Sequence, residues 1–552
     1  MKKYIKIFGL AIAAVFTAPT NAQDHDIYKN IEFKMPQVKE TNFPNRVVSI
    51  EQYGAKSGGI VKNTEAFKKA IVETNQKGGG KITVPRGIWL TGPIELKSNI
   101  NLHLEDGALI IFSKDFNDYP LIETSFEGLN TTRTVSPIYA KDVQNIAITG
   151  NGVIDGNGDA WRFVKKGKMT DSQWKTLVES GGVLSDDKKI WFPSEGSKLG
   201  YVSSSNFNVP DKISKEDLIK VKDFLRPVMV SIVNADRVLL DGPTFQNSPA
   251  WNIHPLMSSN IIIRNLTVRN PWYSQNGDGL DVESCKNVLI YNNTFDVGDD
   301  AICIKSGKDQ DGRDRGIATE NVIIKNNTVY HAHGGVVIGS EMSGGVKNVH
   351  VSGCTFIGTD IGLRFKTTRG RGGIVENIYV SNIDMINIPA QVIGFSMFYE
   401  GKSPIAEEGD TESAKTAEKI YPITAETPTF RNMFFKNINA ATSEEAINIV
   451  GLAEMNIQNI VIEDSYFDTK KALSIIDADG IQLKNVTMKF TEGNAATIYN
   501  SKNIDLTTVK FESSKTPIIK VLGNKTSKIK LPKSINKNNI SISKDVQKNA
   551  VL

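Results

Sequence analysis

Residues 260–268 read NIIIRNLTV, and residues 287–295, 321–329 and 348–356 repeat the phrase as NVLIYNNTF, NVIIKNNTV and NVHVSGCTF. The shared pattern is Asn, apolar, variable, apolar, variable, Asn or Asp, variable, small, apolar. Strict alternation marks a strand with one buried face, and the Asn and Gly residues supply turns. Outward from this block the phrase returns at Asn145, Asn377, Asn432, Asn459, Gly480 and Asn503.

The steps from Asn260 to Asn377 are 27, 34, 27 and 29 residues; the next, to Asn432, is 55 and reads as about two coils; the last three are 27, 21 and 23. One strand phrase per repeat at such a period means a solenoid. No helical pattern separates most phrases, so the expected fold is all-β, a parallel β-helix of directly stacked coils. The Leu ladder of leucine-rich repeats is absent, and a β-sandwich would not repeat one phrase.

Three stretches break the rhythm. Residues 47–93 read as strand, helix, strand, with the helix after Asn63 placed to cap the open end of the core. Residues 155–225 form a long insertion with two expected helices, N-capped by Asp171 and Ser214. Residues 401–420 are polar and acidic and read as a surface loop. Beyond about Asn524 the chain turns Lys- and Asn-rich, as in a ragged final coil. The expected organisation is a signal peptide over 1–22, an extended segment over 23–43, and one β-helix domain over 44–552.

The signal peptide rests on Lys2 and Lys3, an apolar run from Ile7 to Phe16, and the small residue Ala22. The run is far shorter than the ~20 residues of a membrane span, and export to a secreted or periplasmic location is expected, with no stable membrane insertion. The formal charge is +4; three lysines and no acids lie in the first 22 residues, leaving 4 − 3 = +1. Nothing in that balance points to nucleic acid, so any anionic partner must be met by local placement. Three cysteines, Cys285, Cys303 and Cys354, allow at most one disulfide, and no CxxC metal spacing occurs.

Chemistry concentrates on consecutive repeats. Asp278 follows Asn276-Gly277, and Asp299-Asp300 follows Gly298, 22 residues on; His333 lies 33 residues beyond Asp300, and Arg364 a further 31. Coils spaced about 4.8 Å apart would gather these into a stripe on the order of 14 Å long, with the cations roughly 10 Å from Asp299. Arg364 and Lys366 are two apart and share a strand face. Three close aspartates cannot all ionise easily, so one should keep its proton.

In order, Asn276-Gly277-Asp278, Gly298-Asp299-Asp300, Ala332-His333-Gly334 and Arg364-Phe365-Lys366 resemble the four motifs of the polygalacturonase family, glycoside hydrolase family 28. Gly277, Ala332 and Phe365 depart from the family pattern, and none removes a titrating group. His331 is a rival for His333, but only His333 precedes glycine. The resemblance implies a right-handed helix and inverting hydrolysis of α-1,4-linked galacturonic acid, with no cofactor or metal. It implies Asp299 as general acid, Asp278 and Asp300 sharing the base role, and His333 tuning Asp299. Arg364 and Lys366 would hold a uronate carboxylate, with Asn276, Lys305 and Tyr399 as further substrate contacts. Lys308 and Arg313 read as solvated. Trp251 and His254 fit either sugar stacking or the core.

The expected partner is a pectic polysaccharide or oligogalacturonide; nothing sets an oligomeric state. Exo action is preferred because the 155–225 insertion could close one end of the groove. The competing readings are a rhamnogalacturonan hydrolase, a pectate lyase, and a carbohydrate-binding β-helix without turnover.

Overall fold

The computed structural model describes residues 27–204, 208–399 and 419–552. The expected signal peptide and nearly all of the acidic loop at 401–420 lie outside these residues. Thirty-six strands join one continuous sheet in which each strand pairs in parallel with its counterparts in the coils before and after. The coils wind as a right-handed parallel β-helix.

The phrase explains the coil. Its first Asn takes a left-handed conformation at every occurrence, with φ between 53° and 57° at Asn145, Asn260, Asn287, Asn348, Asn377, Asn432, Asn459 and Asn503 and 59° at Asn321; Gly480 fills the same slot at 78°. Asn tolerates this region better than other residues with a Cβ. A second left-handed turn follows five residues on, at Asn265, Asn292, Asn326, Asn382, Asn437, Asp464 and Asn485. Between the turns the apolar positions point inward and register coil on coil: Ile261 on Val288 on Val322, Ile263 on Ile290 on Ile324. All belong to one core running the length of the helix. Outside, the Asn carboxamides form a ladder, each side-chain NH2 donating to the previous coil's oxygen from Asn287 through Asn377.

Two coils escape the pattern read from sequence. Asn99 and Arg237 occupy the first slot with φ of 61° and 59°, and Asp236–Asp241 pairs between Gln144–Gly150 and Ser259–Arg264. Arg237 hid the second coil by standing where Asn was expected. The 55-residue step is also a single coil: Ile378 pairs directly with Met433, and the extra length falls between Gln391–Ser396 and Thr429–Val450.

The helix Thr64–Gln76 buries Ala66, Phe67, Ala70 and Ile71 against the first coils, capping the core's end. In the insertion, the helix Asp171–Glu179 is capped by Thr170, one residue before the expected cap, through a reciprocal bond with Gln173. Ser214 does cap, but its element, Lys215–Val221, is a 3-10 helix. A third helix, Glu195–Val202, and a small antiparallel sheet complete the insertion, and a hairpin over Leu121–Phe126 and Leu129–Thr134 stands beside it. The expected ragged final coil is present as short strands, Ser527–Lys530 and Ile540–Ile542.

Residues 27–43 run as a strap over the outside of the coils. Ile27 and Val38 bury against Ala147, Leu239, Ile262, Leu289 and Ile323, the outward-facing middle residues of five phrases. Further contacts tie Asn42 to Asn145, Glu40 to Arg264 and Glu32 to His350.

Candidate active site

Strands Leu280–Glu283, Asp300–Lys305, Gly334–Ile338 and Ile361–Lys366 stack in parallel register on one flank. Asp278 and Asp299 stand in the turns entering the first two strands, and Asp300 opens its strand. The repeat therefore brings three distant carboxylates to one corner, each offering an oxygen within 4.8 Å of the others. Asp278 and Asp300 are buried, while Asp299 keeps 24 % of its side chain exposed.

Their environments differ. Burial, then the charge of Asp299, pushes the Asp278 carboxyl well above the usual range. Burial acts upward on Asp299 too, but the hydrogen bond and charge of His333, with Lys366 and Arg364, outweigh it and hold Asp299 well below. Asp300 is likewise held down, burial being overcome by Lys366 and Arg364. In the protein alone, burial thus favours the protonated Asp278 carboxyl, while the neighbouring cations favour ionised Asp299 and Asp300. The sequence reading assigned Arg364 and Lys366 to substrate alone; they also act on Asp299 and Asp300.

His333 lies with Nδ1 3.2 Å from Asp299 Oδ1, and its backbone N–H donates to the Asp299 carbonyl. Its Nε2 is 3.2 Å from the Lys168 ammonium and 3.8 Å from Asp360. The rival His331 is exposed and pairs with Asp296.

The cationic pair reaches back across an entire coil. Lys366 Nζ donates to Asp300 Oδ2 at 2.7 Å and Arg364 Nη1 to Oδ1 at 3.3 Å. Gly334 occupies the coil between, where an added Cβ would come 2.3 Å from Val337, 3.2 Å from Asp300 Oδ1 and 3.5 Å from Arg364 Cδ. The expected 10 Å separation from the aspartates is thus closed by side-chain length. Tyr399 lies one coil on, with the Lys366 ammonium 4.9 Å and the Arg364 guanidinium 5.9 Å from its ring centroid. Arg364, Lys366, Tyr399, Gln391 and Asn448 line a depression of about 460 Å³ on the side of the cationic pair.

Two predicted contacts turn inward. Lys305 is 4 % exposed, donates to Glu341 at 2.8 Å, lies 3.5 Å from Asp281 and sits over the Trp251 ring. Its strand is buried throughout because the hairpin and the loop after Ser306 pack over its end: Lys308 N–H donates to the Gly128 carbonyl and Arg315 to Ser125. Asn276, with φ of 53°, accepts from Arg226 and Asn208, both at 3.0 Å, and so braces the turn before Asp278. Trp251 and His254 belong to the interior; His254 bonds Glu283 at 2.9 Å. Lys308 is buried rather than solvated, and Arg313 binds the carbonyls of Gly370 and Arg371.

Sequence reasoning missed Lys168, Arg226, Asp281 and Glu341. The first had a signal in the cluster Lys165-Lys166-Gly167-Lys168 inside the insertion. Asp281 was an acid between apolar strand residues, a placement that asks for a buried cation, whereas Glu341 lies in the loop after Gly334–Ile338 and gave no such signal.

Converging carboxylates with unequal proton affinities are the equipment of glycoside hydrolysis. The family model for glycosyl hydrolases family 28 matches residues 219–415. The crystal structure of a hyperthermoactive exopolygalacturonase from Thermotoga maritima superposes with a TM-score of 0.66 at 33% identity, covering 82% of this chain and 93% of that one. Among sequences, an exo-poly-alpha-D-galacturonosidase of Dickeya chrysanthemi is 28% identical over 80% of this chain and 71% of its own. A probable polygalacturonase of Vitis vinifera is 28% identical over 78% and 77%. The chain belongs to glycosyl hydrolases family 28.

Proposed function

We propose that the protein hydrolyses α-1,4-linked galacturonic acid in pectic polymers or oligosaccharides, releasing product from chain ends. The observation that carries this is the cluster of three aspartates joined through Asp300 to Arg364 and Lys366, which line a depression. Arg364 keeps donors beyond its Asp300 bond that a uronate carboxylate can take. A neutral rhamnose would gain nothing from these cations. Exo action is supported by the insertion, which carries Lys168 to the catalytic corner, and by the exo-acting relatives.

In the mechanism, Asp299 protonates the glycosidic oxygen as the bond breaks, and Asp278 and Asp300 activate water. A uronate at Arg364 and Lys366 shares their charge and weakens their hold on ionised Asp299. The proton then passes from Asp278 to Asp299, which readies the acid and frees a base in one movement. The nearest carboxylate oxygens lie within 4.8 Å of one another, closer than the ~6.5–9.5 Å usual between inverting carboxyls, because stacked coils and one shared turn bring them together. Inversion is the outcome that the family resemblance implies, with water entering between Asp278 and Asp300 on the side opposite the leaving oxygen.

Product analysis on polygalacturonate, with NMR of the first-formed anomer, tests this. Short products from chain ends, a slow fall in viscosity and a β-anomer are expected. Random mid-size oligomers would overturn exo action, an α-anomer inversion, and unsaturated products hydrolysis itself. We further propose export directed by residues 1–22, supported by their lysine, apolar and small-residue order; recovery of the intact N-terminus from a cell envelope fraction would sink it.

A further inference from the structure

His333 is pulled two ways. The Asp299 hydrogen bond and charge, with Asp300, favour the doubly protonated ring and outweigh burial and Lys168, which oppose it. Asp360, exposed and 3.8 Å from Nε2, would accept a proton-bearing Nε2. The atom closest to Nε2, however, is the Lys168 ammonium at 3.2 Å. An ammonium has three donors and no acceptor. The contact is a hydrogen bond only if Nε2 offers its lone pair, which leaves the single ring proton on Nδ1, donated to Asp299.

We propose that Lys168 is a positioning residue that disfavours a proton on His333 Nε2, so that a mobile proton reaching the His333–Asp299 pair is biased toward an Asp299 oxygen. The inference rests on Asp299 being the general acid. The alternatives contain the same number of protons. In one, Asp299 is neutral and His333 neutral; in the other, Asp299 is ionised and Nε2 carries the proton. Only the first can protonate a leaving oxygen. Lys168 disfavours the second by charge and by occupying the place of an acceptor. It comes from the insertion, outside all four motifs, so the insertion contributes to the chemistry as well as to the shape of the groove.

The test compares wild type with Lys168→Met and Lys168→Arg by 15N NMR of the His333 ring and by pH–rate profiles. In Lys168→Met the imidazole midpoint should rise by about one pH unit and kcat fall about tenfold, one unit being a factor of ten, with KM little changed. The basic limb should move to higher pH even as the plateau drops, because the pair binds its proton more tightly in the unproductive place. Lys168→Arg, still a donor-only cation, should restore both. An unchanged midpoint, or a raised KM with kcat intact, would overturn the inference and make Lys168 a sugar contact. The NMR measurement needs no substrate, so a wild type inactive on polygalacturonate would refute the proposed function and leave this reading to be judged by the ring shifts.

Discussion

The Lys366 ammonium lies 2.7 Å from Asp300 although an entire coil separates their strands. Two buried charges are thus coupled across the stack, and the base is built from three coils rather than two. Replacing Lys366 by Met leaves Asp300 buried with only Arg364, and losing one partner of a buried pair costs about 3–5 kcal/mol. Without the ammonium, burial dominates and the Asp300 carboxyl rises. The acidic limb of kcat should therefore shift to higher pH. A pH–rate profile and a melting curve check this; an unmoved limb would remove Asp300 from the base role.

Gly334 makes that reach possible. In Gly334→Ala the new methyl meets Val337 and approaches Asp300 and the Arg364 stem. Small displacements of a catalytic constellation cost up to about 10²-fold. A kcat loss of that order is expected, with KM for oligogalacturonide also raised because Arg364 is displaced. Activity within a factor of two of wild type would show that the strand yields without moving the pair.

Arg226 is fully buried and donates to the carbonyls of Pro249 and Gln275 and to the side chains of Asn208 and Asn276. Each abandoned buried acceptor costs about 1–3 kcal/mol. Arg226→Met should lower the melting temperature and loosen the turn holding Asp278, so activity should fall even where the protein stays folded. Retained melting temperature with full activity would contradict this brace.

These residues mark the boundary of what the sequence could say. The coil repeat was legible because left-handed turns demand Asn or Gly at fixed places, and alternation declares the buried face. Where Arg237 filled a turn slot, the coil vanished from view while the backbone kept its shape. The 55-residue step misled for the opposite reason: length entered a loop, which leaves register untouched. Four motifs located the catalytic corner. Lys168 arrives from the insertion and Arg226 from just beyond its end, through contacts with no period, and Lys305 was misjudged because what covers a strand cannot be counted along it.

The turn requirement can be measured. Asn321 has φ of 59°, donates to Asn287 and accepts from Asn348. A left-handed residue other than Gly or Asn costs roughly 1–2 kcal/mol. Asn321→Ala should lower the unfolding midpoint in urea, and Asn321→Gly should lower it less, since only the ladder bonds are lost. Equal losses would assign the effect to the ladder alone.

The strap of residues 27–43 also constrains the order of assembly. It leaves the ribosome before any coil exists, yet its seat is made of residues as far along as Ile323 and His350. It must wait until most of the helix has wound, then close over finished coils like a latch. A segment made early thus docks only after the coils that seat it have formed.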